Sequence, residues 1–241
     1  MTTETLFRED AYLKSCEATV VAINDRGGIV LDRTVFYPTS GGQPGDAGHL
    51  TFHGGDTAIA TTVYDADRAT IVHVPAEGAS QPAVGATVEA HLDFDQRHDF
   101  MKMHTALHLM CSLIAFPVTG GQIGRRESRL DFDIADASAI DKDELSAKLA
   151  ELVSAAHPVS TRWITDDELD ANPGLVRTMS VQPPRGAGRI RLVSIGGDGA
   201  VDLQPCGGTH VRATDEIGGV AVTKIEKKGK QNRRIRVALI D

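Results

Sequence analysis

The sequence predicts an α+β fold: a small N-terminal β-barrel (residues 1–92) followed by an α+β domain (residues 93–241) with a mainly antiparallel sheet. Short β-rich runs fill the N-terminal part and alternate with Gly, Asp and Asn turns. From Asp93 onward, two stretches carry apolar residues at helical spacing, with period-two runs between and after them. Helices mixed with strands and hairpin-like connections are typical of an α+β protein with antiparallel pairing.

The barrel is predicted from five closely spaced β-rich runs. They cover residues 18–23, 28–31, 57–63, 70–74 and 87–92. Such a series of short strands is typical of a small barrel or closed meander. Residues 75–85, rich in Pro, Gly, Ala and Ser, are predicted to form a loop.

The second domain is predicted to contain two helices. The first covers residues 95–116, with carboxylates at its start and Pro117 as its stop. Its apolar positions recur every three or four residues: Phe100, Met103, Leu107, Met110 and Ile114. The second helix covers residues 141–156, where Asp141 and Glu144 form a capping box. Strands are predicted at residues 129–134, 159–164, 189–195, 219–225 and 233–240.

The composition predicts a globular cytoplasmic protein. Hydrophobic residues make up 41% of the 241 residues and charged residues 24%, and no apolar run approaches the ~20 residues that span a bilayer. The first residues lack the basic and apolar regions of a signal peptide. Three cysteines at unrelated spacings give no disulfide framework, which agrees with a reducing compartment.

Charge is unevenly distributed along the chain. The net charge is -8, so the molecule as a whole repels nucleic acid. Seven basic residues nevertheless crowd the C-terminal end: Lys224, Lys227, Lys228, Lys230, Arg233, Arg234 and Arg236. Such a run is either a solvated hairpin or a strip that holds phosphates in one orientation.

Two short segments hold four candidate metal ligands. His104 and His108 have i,i+4 spacing on the first predicted helix, so both imidazoles leave the same face. Cys206 and His210 bracket a Gly-Gly dipeptide that lets the backbone turn tightly. Nitrogen and sulfur ligands in a set of four are those that zinc prefers. The sequence therefore predicts one Zn²⁺ per chain, held between a helix and a loop.

The chemistry of this predicted site has two alternatives. A zinc site closed by four protein ligands is usually structural, whereas a catalytic site keeps a position open. For catalysis, either His210 stands back from the metal as a base, or the zinc expands to five ligands when substrate arrives. The remaining histidines are expected to be ordinary, and Cys111 is expected to pack in the core.

The order and spacing of several motifs resemble a known family. With the two ligand segments, residues 121–124 (GQIG), 129–133 (RLDFD) and 217–235 resemble the editing domain of alanyl-tRNA synthetase and its free-standing AlaX relatives. Residues 36–46 (FYPTSGGQPGD) resemble the glycine-rich motif of the medium-length AlaX group. The threonyl-tRNA synthetase editing domain shares the ligand pattern, but Gly-Gly-Thr between Cys206 and His210 fits the alanyl type. The length leaves no room for an aminoacylation domain.

The resemblance implies hydrolysis of the ester that joins a wrong amino acid to tRNA(Ala). An alanine pocket rejects the added hydroxyl of serine only ~10²-fold, and glycine simply fits, so a second selecting site is needed. We therefore expect deacylation of Ser-tRNA(Ala) and Gly-tRNA(Ala), with Ala-tRNA(Ala) spared. The expected partner is the mischarged acceptor end of tRNA(Ala), with no membrane and no stable protein partner. Alternatives are a zinc-dependent hydrolase of another ester and a non-enzymatic zinc protein.

The resemblance also implies roles for individual residues. Thr39 is expected to bind the serine hydroxyl, with Gly41 and Gly42 letting the backbone approach the aminoacyl group; the other reading of this segment is a simple turn. Backbone amides of Gly207 and Gly208 are expected to stabilise the oxyanion near His210. Gln122 and Asp133 are expected to contribute to the substrate pocket. The residues expected to contact tRNA phosphates are Arg129, Lys227, Lys228, Arg233 and Arg234.

Overall fold

A computed structural model of the chain describes residues 3–134, 140–177 and 188–240. The chain divides into two compact units, one ending at His98 and the other beginning at Asp99. The expected mixed α+β class with mainly antiparallel sheets is confirmed. The division into a barrel domain (residues 1–92) and a zinc-binding domain (residues 93–241) stays a prediction.

The described part of the first unit contains eight strands. They are β1 (Glu4–Thr5), β2 (Ser15–Ile23), β3 (Ile29–Leu31), β4 (Arg33–Thr34), β5 (Gly48–Phe52), β6 (Gly55–Tyr64), β7 (Ile71–Pro75) and β8 (Thr87–Leu92). Six of them close into a barrel in the order β2-β3-β7-β6-β5-β8, while β1 and β4 form a short parallel pair. Alternate residues of β8 point inward, so Val88, Ala90 and Leu92 join the barrel core.

The second unit contains two antiparallel sheets. Its strands are β9 (Val118–Gln122), β10 (Glu127–Asp133), β11 (Val159–Ile164), β12 (Ile190–Ile195), β13 (Asp202–Pro205), β14 (Val220–Lys227) and β15 (Asn232–Leu239). One sheet has the order β14-β15-β10-β9 and the other the order β11-β12-β13.

Three α-helices lie within the described residues: α1 (Phe94–Leu113), α2 (Lys142–Ser154) and α3 (Asp166–Asp170). Asp93 caps α1, because its Oδ1 accepts the Gln96 N–H at 3.0 Å. The five apolar positions predicted for α1 are all below 5% exposed. The helix ends at Leu113, three residues before the predicted end at Phe116. Pro117 disfavours helical backbone at Phe116 itself.

The two other helices begin with capped N-termini. Asp141 accepts the Glu144 N–H at 2.8 Å, and Leu145, Leu149 and Val153 form the buried stripe of α2. The short helix α3 starts with a capping box. Among the described residues, no helix is both long and apolar enough to cross a bilayer.

Strand alternation separates the two faces of the four-stranded sheet. On β15, Ile235 and Val237 are fully buried, whereas Arg234 and Arg236 lie on the opposite face. Arg236 lies opposite Arg129 of β10 and Lys224 of β14. The charged side chains of three strands therefore share one face of the sheet.

Candidate metal centre

Two elements bring the four predicted metal ligands together. Helix α1 presents His104 and His108, and the segment after β13 presents Cys206 and His210. One donor atom from each residue lies within 4.8 Å of the others. Cys206 Sγ is 3.5 Å from His104 Nε2 and 3.4 Å from His210 Nε2. The three histidines are at most 8% exposed, so this buried cluster can hold a metal ion.

His108 is oriented by a carboxylate from the neighbouring strand. Its Nδ1 lies 2.9 Å from Asp202 Oδ2, and a carboxylate only accepts hydrogen bonds. Nδ1 therefore carries the proton and leaves Nε2 for a metal. Gln204 Nε2 donates to the same oxygen at 2.9 Å, which fixes the carboxylate in turn.

His210 is oriented by a hydroxyl on α1. Thr105 Oγ1 donates to the Met101 carbonyl at 2.9 Å and lies 3.1 Å from His210 Nδ1. Because the hydroxyl proton is already used, His210 Nδ1–H donates to Thr105. The lone pair of His210 is then on Nε2, the atom beside Cys206. His210 thus faces the cluster in the manner of a ligand rather than of a base held back from the metal.

The loop that carries Cys206 is held by an arginine of β12. Arg191 Nη1 donates to the carbonyls of Cys206 at 3.0 Å and Gly208 at 2.9 Å. The Gly208 N–H donates to Cys206 Sγ at 3.4 Å, so this amide is directed at the sulfur rather than at an oxyanion. Gly207 is exposed, and the space beside it is open.

The electrostatics of the cluster favour the ligand form of the thiol and of one histidine. Burial raises the pKa of Cys206, but His104 and His210 outweigh it and hold that pKa well below its usual value. Burial, and then the charge of His104, lower the pKa of His210 well below its usual value. Burial also opposes the charge of His108, yet Asp202 and Cys206 raise its pKa to about 10. Metal binding would therefore displace a proton from His108.

The donor set fits zinc. Three imidazoles and one thiolate are the ligand types of zinc sites, and two of the imidazoles have the outer hydrogen bonds that metal-ligating histidines usually make. Cys111 is 6% exposed, and burial raises its pKa to about 12. It remains a thiol in the core, in line with its expected role.

The open sheet face joins one predicted pocket residue to two predicted phosphate contacts. Gln122 Oε1 accepts from Arg129 Nε at 3.3 Å. Asp131 accepts from Arg129 Nη1 at 2.7 Å and from Arg234 Nε and Nη2 at 2.8 and 2.9 Å. Burial raises the pKa of Asp131, but Arg234 and Arg129 outweigh it and lower that pKa. Asp133 ends the same strand, where its backbone N–H binds the Pro117 carbonyl.

Part of the predicted basic strip is internally neutralised. Arg236 binds Glu226 at 2.8 Å and Glu127 at 2.7 Å, and Lys224 binds Glu226 at 3.1 Å. Hydrogen bonds from Arg236 and Lys224 lower the pKa of Glu226 to about 2. The exposed positive charge therefore shifts toward the β14–β15 turn.

The other predicted phosphate contacts, near the turn between β14 and β15, differ in their exposure to solvent. Lys227 and Lys228 are exposed at this turn. Arg233 is only 4% exposed, and its Nη1 donates to the carbonyls of Asn232 at 3.1 Å and Gly229 at 3.5 Å. Arg233 thus supports the hairpin from beneath, whereas the lysines face solvent.

The glycine-rich loop (residues 36–46) has a hairpin tip. Ser40 and Gln43 exchange backbone hydrogen bonds at 3.1 and 2.8 Å, and Gly41 and Gly42 between them have φ values of 55° and 82°. Two consecutive positive φ values are those of a type I′ turn, which glycine adopts without strain. Thr39 Oγ1 accepts from Gly45 N–H at 2.8 Å and donates to the Thr62 carbonyl at 3.3 Å.

Asp202, Gln204, Thr105, Arg191 and Asp131 were not predicted as site residues. Asp202 and Gln204 could have been found, because polar residues at period two directly precede a candidate ligand. Asp131 stands between Arg129 and Asp133 in a motif already singled out. For Thr105 and Arg191 the sequence holds no comparable signal, since their partners are distant in the chain.

Two family models match parts of the chain. The model described as "Threonyl and Alanyl tRNA synthetase second additional domain" matches residues 190–236, which include Cys206 and His210. The model described as "tRNA synthetases class II (A)" matches residues 8–96.

Curated relatives match the chain over nearly its whole length. The alanyl-tRNA editing protein AlaX-M of Methanosarcina barkeri is 35% identical over 99% of this chain and 100% of its own length. AlaX-M of Methanosarcina mazei is 36% identical over 99% of this chain and 97% of its own length. The alanine–tRNA ligase of Pyrobaculum neutrophilum is 35% identical over 93% of this chain and 25% of its own length.

Proposed function

The chain belongs to the AlaX-M family of alanyl-tRNA editing proteins, and on that premise we propose that it is a zinc-dependent deacylase of mischarged tRNA(Ala). Its substrates are Ser-tRNA(Ala) and Gly-tRNA(Ala), and it spares Ala-tRNA(Ala). The observation that carries the proposal is the buried cluster of four donors in a chain that matches editing proteins from end to end. The proposal places the enzyme in the cytoplasm, without a stable protein partner.

The proposed catalytic machinery is the metal cluster and the loop beside it. His104, His108, Cys206 and His210 hold the zinc, which supplies Lewis-acid chemistry for ester hydrolysis when bound. His210 acts as a ligand in this proposal, because its Nδ1 is engaged by Thr105. The N–H of Gly207, an exposed residue, is the proposed oxyanion donor, while the N–H of Gly208 donates to the Cys206 sulfur.

The proposed selection of serine rests on Thr39. Its hydroxyl already donates one hydrogen bond and accepts one within the loop, which leaves one oxygen lone pair. A serine hydroxyl can donate to that lone pair, whereas the methyl group of alanine cannot. Gly41 and Gly42 keep the tip of this loop free of side chains. Gln122 and Asp133 are proposed as further substrate-binding residues.

The proposed tRNA surface combines two groups of cations. Lys227 and Lys228 supply exposed charges at the end of β14 and in the turn that follows it. Arg129 and Arg234 supply guanidinium groups fixed by Asp131. Arg233 serves this surface by holding the hairpin backbone.

Release of serine from Ser-tRNA(Ala) tests the function directly. We expect fast release by zinc-loaded protein, no release from Ala-tRNA(Ala), and loss of activity in Cys206→Ala. Ser-tRNA(Thr) run in parallel tests selection of the tRNA. Absence of release by protein that contains one zinc per chain would leave a non-enzymatic zinc protein, and release from an unrelated ester alone would indicate a different hydrolase.

The role of Thr39 can be tested by Thr39→Val. We expect serine release to fall about tenfold or more, because a hydrogen bond to the substrate is lost, and glycine release to change much less. Thr39→Ser is the matched control, since it keeps the hydroxyl. The measurement is kcat/KM on Ser-tRNA(Ala) and Gly-tRNA(Ala). An equal loss on both substrates would mean that Thr39 only supports the loop.

A further inference from the structure

A buried arginine holds the end of the glycine-rich loop. Arg97 of α1 is 0% exposed and is the largest fully buried side chain in the described part of the chain. Its Nε lies 3.0 Å from both carboxylate oxygens of Asp46, and its Nη2 also donates to Asp46 Oδ2. Asp46 is the last residue of the loop and is itself 0% exposed.

The same guanidinium group reaches two further segments. Arg97 Nη2 donates to the Val35 carbonyl at 2.8 Å, and Nη1 donates to the Ala11 carbonyl at 3.0 Å. Val35 directly precedes the loop and Asp46 ends it. One side chain therefore fixes both the entry and the exit of residues 36–46.

Asp46 also closes the base of the loop. Its Oδ2 accepts the Tyr37 N–H at 2.5 Å, and its own N–H donates to the Tyr37 carbonyl at 2.9 Å. Thr62 Oγ1 donates to the Asp46 carbonyl at 3.0 Å. Asp46 thus links the end of the loop to its beginning at Tyr37, and also to Arg97.

The base of the loop is connected to the proposed substrate contact. Gly45, the neighbour of Asp46, donates its N–H to Thr39 Oγ1 at 2.8 Å. The Thr39 N–H donates to the Thr62 carbonyl at 2.9 Å. A Cβ at Gly45 would lie 1.8 Å from that carbonyl oxygen, so the backbone of Gly45 packs directly against Thr62 and leaves no room for a side chain. A displacement of Asp46 would therefore move the Thr39 hydroxyl.

Stability alone does not explain this ion pair. Burying two charges costs desolvation energy, and apolar replacements of buried pairs are often neutral or stabilising. The fixed fork of arginine, by contrast, can hold a carboxylate and carbonyls in one geometry, which a lysine cannot do. These properties suit a group whose task is to place a loop.

We propose that Arg97, acting through Asp46, is a positioning residue that sets the place of the glycine-rich loop and thereby the preference for serine. This inference rests on the proposed function, in which Thr39 binds the serine hydroxyl. Arg97 itself touches no substrate in this proposal.

The test compares three variants. The double variant Arg97→Met/Asp46→Asn removes both charges, so that neither is left buried and unpaired, and keeps an acceptor for the Tyr37 N–H. Arg97→Lys keeps the positive charge but loses the planar guanidinium group with its several N–H donors. Val88→Ala is the control: it opens a cavity in the barrel core, where Val88 is 1% exposed, and destabilises the barrel without removing a loop hydrogen bond.

Two measurements decide the outcome. Hydrogen exchange of residues 36–46 is compared with that of β5 and β8, and kcat/KM is compared on Ser-tRNA(Ala) and Gly-tRNA(Ala). We expect faster exchange in the loop of the double variant and about a 10²-fold loss of kcat/KM for serine, the scale of a 1 Å misplacement. The serine-to-glycine ratio should fall in the double variant, fall partly in Arg97→Lys, and stay unchanged in Val88→Ala.

Unchanged loop exchange in the double variant would overturn the inference. An unchanged serine-to-glycine ratio despite faster loop exchange would overturn it as well, because the ion pair would then serve stability only. Failure of the proposed function looks different. In that case the wild-type enzyme releases neither amino acid, while loop exchange still decides whether Arg97 holds residues 36–46.

Discussion

His108 and His210 each present one ring nitrogen to the donor cluster because the other nitrogen is occupied. Asp202 fixes the first ring and Thr105 the second. The two partners differ in charge: a carboxylate raises the basicity of the imidazole that it binds, whereas a hydroxyl only orients it. The geometry therefore predicts that Asp202 contributes to metal affinity through His108, although Asp202 is not one of the four donors.

Asp202→Asn tests that contribution. The amide keeps an oxygen that can accept from His108 Nδ1 but loses the charge, so we expect zinc affinity to fall about 10- to 100-fold. The measurement is competition with a chelator of known affinity. Asp198→Asn is the control, because Asp198 is an exposed acid four residues earlier. Equal affinities in the two variants would show that Asp202 does not tune the site.

A buried histidine of the barrel, His73, predicts that the stability of the barrel depends on pH. His73 is 0% exposed, its Nδ1 donates to the Ile29 carbonyl at 3.1 Å, and its Nε2 lies 2.8 Å from Thr34 Oγ1. Burial lowers its pKa from 6.5 to about 4. Between these values the unfolded chain binds a proton that the native barrel does not. The free energy of unfolding is therefore highest above pH 6.5 and falls toward pH 4, by about 3 kcal/mol from this group.

His73→Asn removes this titration while keeping a donor for Ile29. We expect the variant to be less stable at pH 7, because it loses the contact with Thr34, but to lose less stability between pH 6.5 and pH 4. The measurement is urea unfolding at several pH values. The carboxylates titrate in both proteins, so only the difference in slope reports on His73. Parallel pH curves for the two proteins would contradict the prediction.

At the scale of elements, the periodicity of apolar residues predicted those helices and strands that have one apolar face. Helix α1, helix α2 and strands such as β8 were predicted because their buried positions carry apolar residues. Strand β13 was not predicted, because its buried residues are Asp202 and Gln204, which reverses the usual pattern. Strand β5 was not predicted either, since Leu50 is its only buried residue and Phe52, at its end, is only partly buried. A strand whose buried residues are polar, and a short strand with a single buried apolar residue, show no periodic pattern of apolar residues in the sequence.

The candidate site likewise contains residues that the local sequence predicted and contacts that it did not. The four ligands could be predicted because each pair is local in sequence, at a spacing that one helix turn or one tight turn brings together. The pairing of Arg234 with Asp131 depends on the register of β15 against β10, which no local pattern contains. The charge of the basic strip was therefore predicted from the sequence, but its internal neutralisation was not.

The β14–β15 hairpin predicts which cations contribute most to tRNA affinity. We expect Lys227→Gln/Lys228→Gln to weaken tRNA binding and to reduce the slope of log K against log salt by about 2, since each phosphate contact contributes about one counterion. Arg129→Gln should reduce the slope by less than the value of about 1 expected for each exposed lysine, because Asp131 already neutralises part of the Arg129 charge. The measurement is fluorescence anisotropy of tRNA across a salt series.

Lys148→Gln provides the control for this prediction. Lys148 is an exposed lysine of α2 paired with Glu144, so its loss removes one positive charge, as Arg129→Gln does, without touching the hairpin. Effects that only follow the number of charges removed, one in each single variant and two in the double variant, would indicate that net charge alone governs tRNA binding.

At the scale of the whole molecule, all four donors belong to the unit that begins at Asp99. A metal that binds only the native state stabilises the structure that assembles its ligands. At zinc concentrations about 1,000 times the Kd, that stabilisation reaches about 4 kcal/mol. We therefore expect chelation to speed hydrogen exchange up to about 10³-fold in β12 and β13, with little change in the barrel strands β5, β6 and β8. In Cys206→Ala, which lacks the thiolate, chelator should have a much smaller effect on β12 and β13. If chelation instead released the barrel strands equally in the wild-type protein, the two units would have to unfold as one, and metal binding would stabilise the glycine-rich loop as well as the zinc ligands.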